Sequence, residues 1–272
     1  MTTIDGKKIA EEIIAQLKSL PKPDKFFGAL LVGDDPASLN FLKQKSKVAA
    51  ELGMDFRIYR LPSETKTDDL RGEIGRYAVP KNCGGFIVQL PLPEAVNKHY
   101  VLNAIPKEKD TDLLSEAALG SFYTGRHKIS PPSVGTVEEI LKRENLDMRK
   151  LKVVLIGAGF LIGKPVGFWL QNRVAEVTVL DSKAKELMPI VKDADVVISG
   201  AGEAGLLKTQ DLKDGALVID FGFNKIGEKI IGDFDSAGAE EKNITYTKTP
   251  GGTGPILVAK LFENFYKLNS KQ

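Results

Sequence analysis

Short apolar runs and amphipathic helical segments alternate through almost the whole chain of 272 residues. Several of the runs are apolar throughout, which is typical of parallel strands that are buried on both faces. Parallel strands joined by helices form α/β folds, and this chain is long enough for two domains or for one large domain. The alternation therefore predicts an α/β protein built on parallel sheets.

The pattern also predicts where the elements lie. In the first half it indicates strands and helices in the order βαβαβ, at residues 27–32, 36–52, 55–60, 67–77 and 85–89. In the second half it indicates strands at 152–156, 176–180, 196–199 and 217–220, and a last helix at about 255–268. A Pro-Pro pair and a helix at 136–145 favour a boundary between Ser130 and Lys150, so we expect domains 1–133 and 134–254, with helix 255–272 packed on the first.

Composition excludes several classes of protein. A net charge of +2 provides no basic field for nucleic acid, and 42% hydrophobic with 27% charged residues is typical of a soluble globular chain. The N-terminal segment is an amphipathic helix rather than an apolar signal, and Lys164 and Pro165 interrupt the most apolar long segment. We expect a cytoplasmic protein without membrane association. With Cys83 as the one cysteine and two histidines, we expect neither an intrachain disulfide nor a metal site.

A glycine turn follows the predicted strand at 152–156. Gly157, Gly159 and Gly163 have the spacing G-x-G-x-x-x-G, a variant of the turn that lets backbone amides approach a pyrophosphate at a helix N-terminus. Asp181 ends the next strand, 24 residues beyond Gly157, where an acid commonly binds the ribose 2′-hydroxyl of NAD. A tight turn without a ligand is the minority alternative. This half is predicted to bind a nicotinamide dinucleotide.

Two residues of the first half, Gln89 and Lys45, are candidate functional residues, although neither is decisive on its own. Gln89 ends an apolar strand just before Pro91 and Pro93, at the sheet edge where α/β proteins bind ligands. Taken alone, a glutamine at the end of a strand favours a structural role, in which its amide bonds nearby backbone. One face of the helix predicted at 36–52 is mostly apolar and includes Lys45; it consists of Ser38, Phe41, Lys45, Val48 and Leu52. Partial burial would lower the pKa of Lys45, whereas a solvated stripe of Lys43, Lys45 and Lys47 is the favoured alternative.

Six motifs together favour functional roles for Gln89 and Lys45. They are VGDDPAS at 32–38, VQLPLP at 88–93, KDTD at 109–112, GKP at 163–165, VIDFGFN at 218–224 and PGGTGP at 250–255. Over nearly its whole length the chain resembles the methylenetetrahydrofolate dehydrogenase/methenyltetrahydrofolate cyclohydrolase family. VQLPLP and PGGTGP are much more specific to that family than the glycine turn is.

The resemblance implies two α/β lobes, an N-terminal catalytic domain and a Rossmann-type domain, with a cleft between them. It implies a homodimer that oxidises 5,10-methylenetetrahydrofolate with NADP, the usual family cofactor, or with NAD, and hydrolyses the product to 10-formyltetrahydrofolate. The implied catalytic residues are Lys45, Gln89 and Asp112, and the implied substrate-binding residues are Ser38, Phe41, Pro250, Gly251 and Gly252. The implied cofactor-binding residues are Gly157, Ala158, Gly159, Gly163, Asp181, Ser182 and Phe223.

The chain departs from the family pattern at several of these positions. Phe41 stands where the family usually has tyrosine, Leu113 where it has glycine, Gly159 where it has serine, and Asp181 where histidine is common. Residues 131–134 and Leu257 also differ from the family's usual residues. Because Phe41 lacks the hydroxyl that could order the lysine or a water, we hypothesise that dehydrogenase activity is kept and cyclohydrolase activity weakened.

Two other functions remain open from the sequence. One is a different two-domain NAD(P)-dependent dehydrogenase, such as a shikimate-type enzyme acting on a small carboxylated substrate. VQLPLP and PGGTGP argue against it. The other is a non-catalytic folate-binding homologue, which the substitutions support and the retention of Lys45, Gln89 and Asp112 opposes.

Overall fold

A computed structural model describes residues 2–184 and 187–270 of the chain. These residues form two compact units, each discontinuous in sequence. The three-stranded unit comprises residues 11–132 and 258–270, and the six-stranded unit comprises residues 2–10, 133–184 and 187–257. The chain passes from one unit to the other within the first helix, after the first residue of the helix that begins at Pro132, and within the last helix.

The strands of the described residues are β1 (Thr2–Ile4), β2 (Phe26–Val32), β3 (Phe56–Leu61), β4 (Cys83–Val88), β5 (Lys152–Ile156), β6 (Glu176–Leu180), β7 (Val196–Ser199), β8 (Leu207–Lys208), β9 (Leu217–Asp220), β10 (Asn224–Ile226), β11 (Lys229–Ile231), β12 (Phe234–Asp235) and β13 (Thr245–Thr247). The helices are α1 (Gly6–Lys18), α2 (Pro36–Glu51), α3 (Thr67–Ala78), α4 (Lys98–Leu102), α5 (Glu116–Tyr123), α6 (Pro132–Arg143), α7 (Gly163–Leu170), α8 (Met188–Val191) and α9 (Thr253–Asn269). Short 3-10 turns lie at Lys107–Lys109, Met148–Lys150 and Thr209–Asp211.

The three-stranded unit is built on a parallel sheet with the order β3-β2-β4. Every residue of the central strand β2 is buried. The ring centroid of Phe27 on this strand lies 5.5 Å from that of Phe262 and 4.8 Å from that of Phe265, both on α9. The carboxyl ends of the parallel strands meet at one edge of the sheet, and the segment that carries Gln89 leaves β4 at this edge.

The six-stranded unit is built on a parallel sheet with the order β1-β13-β9-β7-β5-β6. The chain order reverses beside β5, which pairs with β6 on one side and with β7 on the other. Open α/β sheets bind ligands outside the carboxyl ends of the strands at such a reversal. The predicted α/β fold with parallel sheets is confirmed, and this sheet has a Rossmann-type arrangement.

Several predicted bounds are wrong by a few residues. Strand β4 begins at Cys83, earlier than predicted, because Cys83 pairs with Phe26 of β2, and it ends at Val88, so that Gln89 lies just beyond it. The helix predicted at 136–145 begins at Pro132, and proline is well suited to a first helical turn. It ends at Arg143, just before Asn145 adopts a left-handed φ of 53°. Within residues 2–184 and 187–270, no helix has the length and apolar character needed to span a membrane.

Candidate active site

Lys45 lies on the buried face of α2. Asp35 caps the N-terminus of this helix, since its side chain accepts a hydrogen bond from the Ser38 backbone amide over 2.7 Å. Lys45 is only 8% exposed, whereas Lys43 and Lys47 are exposed. The alternative of a continuous solvated basic stripe is therefore wrong for Lys45.

Lys45 and Gln89 form a buried hydrogen-bonded pair. The Nζ atom of Lys45 donates to Oε1 of Gln89 over 2.9 Å, and the Nε2 atom of Gln89 donates to the Leu90 carbonyl over 2.8 Å. The hydroxyl of Ser38 donates to the same carbonyl over 3.2 Å. The Leu90 carbonyl thereby orients the amide so that its oxygen faces the lysine. Gln89 bonds nearby backbone, as the simpler interpretation expected, and the lysine as well.

Asp112 is the charged partner of Lys45. Burial lowers the pKa of Lys45, and the Asp112 carboxylate partly opposes this shift. Burial raises the pKa of Asp112, and the Lys45 ammonium partly opposes that shift in turn. Both shifts favour the neutral forms, so the lysine is suited to exchanging a proton.

The segment before Asp112 is held by two charged neighbours. Lys109 Nζ donates to the carbonyls of Ala78, Val79 and Pro80, at 2.7, 2.8 and 2.8 Å. Asp110 is fully buried, and its Oδ2 atom accepts from the amides of Leu114 and Ser115 over 2.9 and 2.7 Å. Burial raises the pKa of Asp110 to about 6, and its Oδ1 atom is buried without a hydrogen-bond partner. Asp112 therefore extends from a backbone that is fixed on both sides of the segment.

Two of the departures from the family pattern adjoin these groups. Leu113 has a left-handed φ of 53° and is 1% exposed, packed with Ala118 and Ile129. This conformation costs most residues about 1–2 kcal/mol, which explains why glycine suits the position. Phe41 is half-buried and lies one helical turn before Lys45. Because it is a phenylalanine, this position provides no hydroxyl near the lysine.

The predicted glycine turn lines a cavity of about 590 Å³ in the six-stranded unit. The lining residues are Ile156, Gly157, Ala158, Gly159, Asp181, Ser182, Ala184, Leu187, Gly200, Ala201, Glu203 and Leu206. Gly157 has a φ of 96°, and a Cβ there would lie 2.6 Å from the carbonyl oxygen of Gly200. A Cβ on Gly163 would clash with the carbonyl oxygen of Gly157, whereas one on Gly159 would meet nothing. Gly157 and Gly163 are needed by the turn itself.

The cavity fits a dinucleotide in its polar groups as well. The N-terminus of α7 begins at the glycine turn, and the preceding Ile162 provides no side-chain cap. Asp181 and Ser182 line the cavity beyond the end of β6, and the Asp181 carboxylate accepts from the Lys183 amide over 2.8 Å. Phe223 is 39% exposed and does not line this cavity.

The remaining predicted residues lie in the six-stranded unit, after β13. Gly251 has a φ of 100°, and a Cβ on Gly252 would lie 2.5 Å from the Lys248 carbonyl oxygen. A Cβ on Gly6 would clash with the Gly252 carbonyl. The loop that begins at Pro250 is therefore tightly folded against its own unit.

Sequence reasoning missed two buried acids near the cavity. Asp220 is 2% exposed at the end of β9, and Asp233 is fully buried just before β12. Burial, together with the nearby Asp233, raises the pKa of Asp220 to about 6. An acid that ends an apolar strand was a usable signal for Asp220, but nothing in the pattern around Asp233 distinguishes it from a surface acid.

Comparison with known proteins gives one consistent result. Residues 4–112 match the catalytic domain of the tetrahydrofolate dehydrogenase/cyclohydrolase family, and residues 131–272 match its NAD(P)-binding domain. The bifunctional protein FolD of Lactobacillus delbrueckii subsp. bulgaricus is 32% identical over 275 residues, covering 99% of this chain and 97% of that protein. The crystal structure of FolD from Campylobacter jejuni has a TM-score of 0.94 at 32% identity, over 99% of this chain and 98% of that one.

A Trypanosoma brucei relative was solved in complex with a cofactor. This N5,N10-methylenetetrahydrofolate dehydrogenase-cyclohydrolase, bound to NADP and an inhibitor, has a TM-score of 0.91 at 29% identity. The alignment covers 98% of this chain and 96% of that one. Both domain models, the sequence relatives and the structures agree over nearly the full length. The chain belongs to the tetrahydrofolate dehydrogenase/cyclohydrolase family.

Proposed function

We propose that this protein oxidises 5,10-methylenetetrahydrofolate to the 5,10-methenyl form with NAD(P), and hydrolyses that product to 10-formyltetrahydrofolate. The observation that carries the proposal is the buried hydrogen bond between Lys45 and Gln89, with Asp112 coupled electrostatically to the lysine. The three-stranded unit supplies these groups and binds the folate. Family membership opposes the shikimate-type alternative.

Lys45 serves the hydrolytic step. Addition of water to the methenyl carbon and opening of the ring both require proton transfer, and a buried lysine with a lowered pKa can hold or release a proton at Nζ. Gln89 holds that atom by accepting its hydrogen bond. Asp112 binds the polar edge of the pterin ring, and Ser38 and Phe41 line the substrate site.

The cavity of the six-stranded unit holds the dinucleotide. The backbone of Gly157, Ala158 and Gly159 would hold the pyrophosphate, Gly163 allows the tight turn, and Asp181 and Ser182 would bind the adenosine ribose. A bound nicotinamide would supply the acceptor for a hydride that leaves the methylene carbon. That transfer mainly requires alignment, for which the loop of Pro250, Gly251 and Gly252, together with Phe223, contributes contacts.

Cofactor preference follows from one carboxylate. Asp181 is exposed at the cavity, where it can accept from a ribose 2′-hydroxyl and would repel a 2′-phosphate. The family includes a relative solved with NADP, so both cofactors are candidates. We propose that NAD is preferred here, on the ground of Asp181.

The test measures the two reactions separately. Formation of NADH or NADPH from methylenetetrahydrofolate reports the oxidation, and loss of methenyltetrahydrofolate absorbance reports the hydrolysis. We expect clear dehydrogenase activity with slow hydrolysis, because Phe41 lacks a hydroxyl. Rapid hydrolysis that Lys45→Ala abolishes would overturn the proposed weakening. Tight folate binding without turnover under either cofactor would favour a non-catalytic homologue.

Several expectations stay predictions. They include the homodimer, the cytoplasmic location and the division into domains 1–133 and 134–254. Light scattering of the purified protein measures the mass in solution and tests the dimer. A mass of about 30 kDa, corresponding to one chain of 29.6 kDa, would contradict it.

A further inference from the structure

Asp233 is a fully buried carboxylate on which five hydrogen-bond donors converge. The donors to Oδ2 are the hydroxyl of Ser199 at 2.7 Å and the amides of Ala201 and Gly202 at 2.8 and 3.2 Å; those to Oδ1 are the amide of Glu203 at 2.9 Å and the side chain of Asn224 at 3.3 Å. Hydrogen bonds to an ionised acceptor are about twice as strong as neutral ones. This carboxylate is therefore the main anchor of the segment from Ser199 to Glu203.

The anchored segment is one wall of the dinucleotide cavity. It begins at Ser199, the last residue of β7, and Gly200, Ala201 and Glu203 line the cavity. The Asp233 carbonyl also accepts from the Leu207 amide over 2.9 Å, next to the lining residue Leu206. Asp233 itself does not line the cavity, so its influence on a ligand passes through this wall.

Successive backbone amides that converge on one point form a typical binding site for an anion. Here the amides of Ala201, Gly202 and Glu203 already have an anion, which the chain itself provides. A phosphate group would meet a buried negative charge behind this wall. The turn from Gly157 to Gly163, at the N-terminus of α7, carries the opposite partial charge.

We infer that Asp233 is a positioning residue for the dinucleotide: it shapes the Gly200–Glu203 wall and leaves the Gly157–Gly163 turn as the place for the pyrophosphate. This rests on the proposed binding of NAD(P) in the cavity. The close packing around Asp233 supports a strict requirement for its shape, because a Cβ on Gly222 would clash with its Oδ1 atom. Asparagine has nearly that shape but would direct an NH₂ group at one of two sets of donors.

The test measures binding of NAD and of NADP to the folate-free protein by titration calorimetry. For Asp233→Asn we expect the dissociation constant of the preferred dinucleotide to rise at least tenfold. In turnover, the KM for that dinucleotide rises by a similar factor, while kcat stays within threefold and the KM for the folate within twofold. Asp235→Asn is the matched control, since the same change two residues away affects an exposed side chain that bonds only the Ala237 amide in the described contacts.

Ser199→Ala tests the same anchor without changing a charge, and it remains informative if Asp233→Asn does not fold. It removes one donor to the carboxylate, and we expect about a threefold rise in the dinucleotide dissociation constant. Thr209→Val is its control, because that buried hydroxyl has no hydrogen-bond partner.

Unchanged dinucleotide binding in Ser199→Ala and Asp233→Asn would overturn the inference, as would equal losses for folate and dinucleotide. A wild-type protein that binds neither dinucleotide would overturn the cofactor assignment itself, and the inference with it.

Discussion

The Nζ atom of Lys45 donates a hydrogen bond to Oε1 of Gln89 over 2.9 Å, and both side chains are more than nine-tenths buried. The neutral amide accepts this bond without adding charge, so burial still lowers the pKa of the lysine. The pair combines a fixed position with a proton that can be exchanged.

Gln89→Glu would add a carboxylate beside Lys45 Nζ and so raise the pKa of the lysine. A charge at this distance shifts a pKa by roughly 1–3 units, so we expect the pH profile of methenyltetrahydrofolate hydrolysis to move at least one unit upward. The profile is measured by absorbance after subtraction of spontaneous hydrolysis. Gln44→Glu, on the helix that carries Lys45, is the control. An unchanged pH profile in Gln89→Glu would show that Lys45 does not govern this step.

Phe41→Tyr would restore a hydroxyl one turn before Lys45. One additional hydrogen bond contributes about 0.5–1.5 kcal/mol, so we expect hydrolysis about two- to tenfold faster, with the KM for methylenetetrahydrofolate little changed. Phe122→Tyr, at another half-buried ring of the same unit, controls for the added oxygen. Equal rates of hydrolysis by wild type and Phe41→Tyr would show that the missing hydroxyl at this position does not limit the cyclohydrolase activity.

Asp181→Ser would remove a negative charge from the cavity while keeping an oxygen that can accept from the Lys183 amide. Because Asp181 is exposed and screened, we expect a moderate effect, about a three- to tenfold rise in kcat/KM for NADP relative to NAD. Initial rates with both cofactors measure the ratio. Asp193→Ser, an exposed acid outside this cavity, should leave it unchanged; an unchanged ratio in Asp181→Ser would refute the role of the carboxylate.

Asp110 makes stability depend on pH. Its pKa is raised to about 6 in the folded protein, so between pH 4 and 6 the folded state binds more protons than the unfolded state and stability falls as pH rises. The shift from 3.8 corresponds to about 3 kcal/mol. Asp110→Asn keeps an acceptor for Leu114 and Ser115 and does not titrate. We therefore expect the free energy of unfolding of Asp110→Asn, relative to that of wild type, to be higher at pH 7 than at pH 4 by up to that amount. Urea unfolding at the two pH values measures the difference. A pH-independent difference would contradict the raised pKa.

Leu113 provides a test of backbone conformation. At most positions alanine is more stable than glycine, but at a left-handed φ the order reverses. We expect Leu113→Gly to cost about 2–3 kcal/mol through lost burial, and Leu113→Ala about 1 kcal/mol more. Leu114, also buried but without a positive φ, should give the ordinary order for the same two substitutions. Urea unfolding of the four variants decides, and the same order at both positions would contradict the assignment of strain.

Continuous apolar runs made most of the fold predictable. Strands β5, β7 and β9 have the predicted bounds, because an apolar run and burial coincide where a parallel strand is covered on both faces. Strand β6 also has its predicted bounds, although it lies at the edge of the sheet and is largely exposed or half-buried. Strands β1 and β13 were missed, because three-residue segments such as Thr-Tyr-Thr have no apolar pattern and depend on partners far away in sequence.

The site was predictable to a different extent. Lys45, Gln89 and Asp112 could be named from motifs, but the carbonyl of Leu90 that orients Gln89 could not. Asp233 bonds amides about thirty residues away, and such a contact leaves no local periodicity.

The discontinuity of the three-stranded unit has a consequence during synthesis. Its strands leave the ribosome early, but Phe262 and Phe265, which contact Phe27 on the central strand, are translated only after residue 257. A nascent chain therefore carries an uncovered apolar sheet face while residues 133–257 of the six-stranded unit are being made. Such surfaces are prone to aggregate and to engage chaperones. Chains stalled before residue 258 should accordingly bind a holdase that the released protein does not.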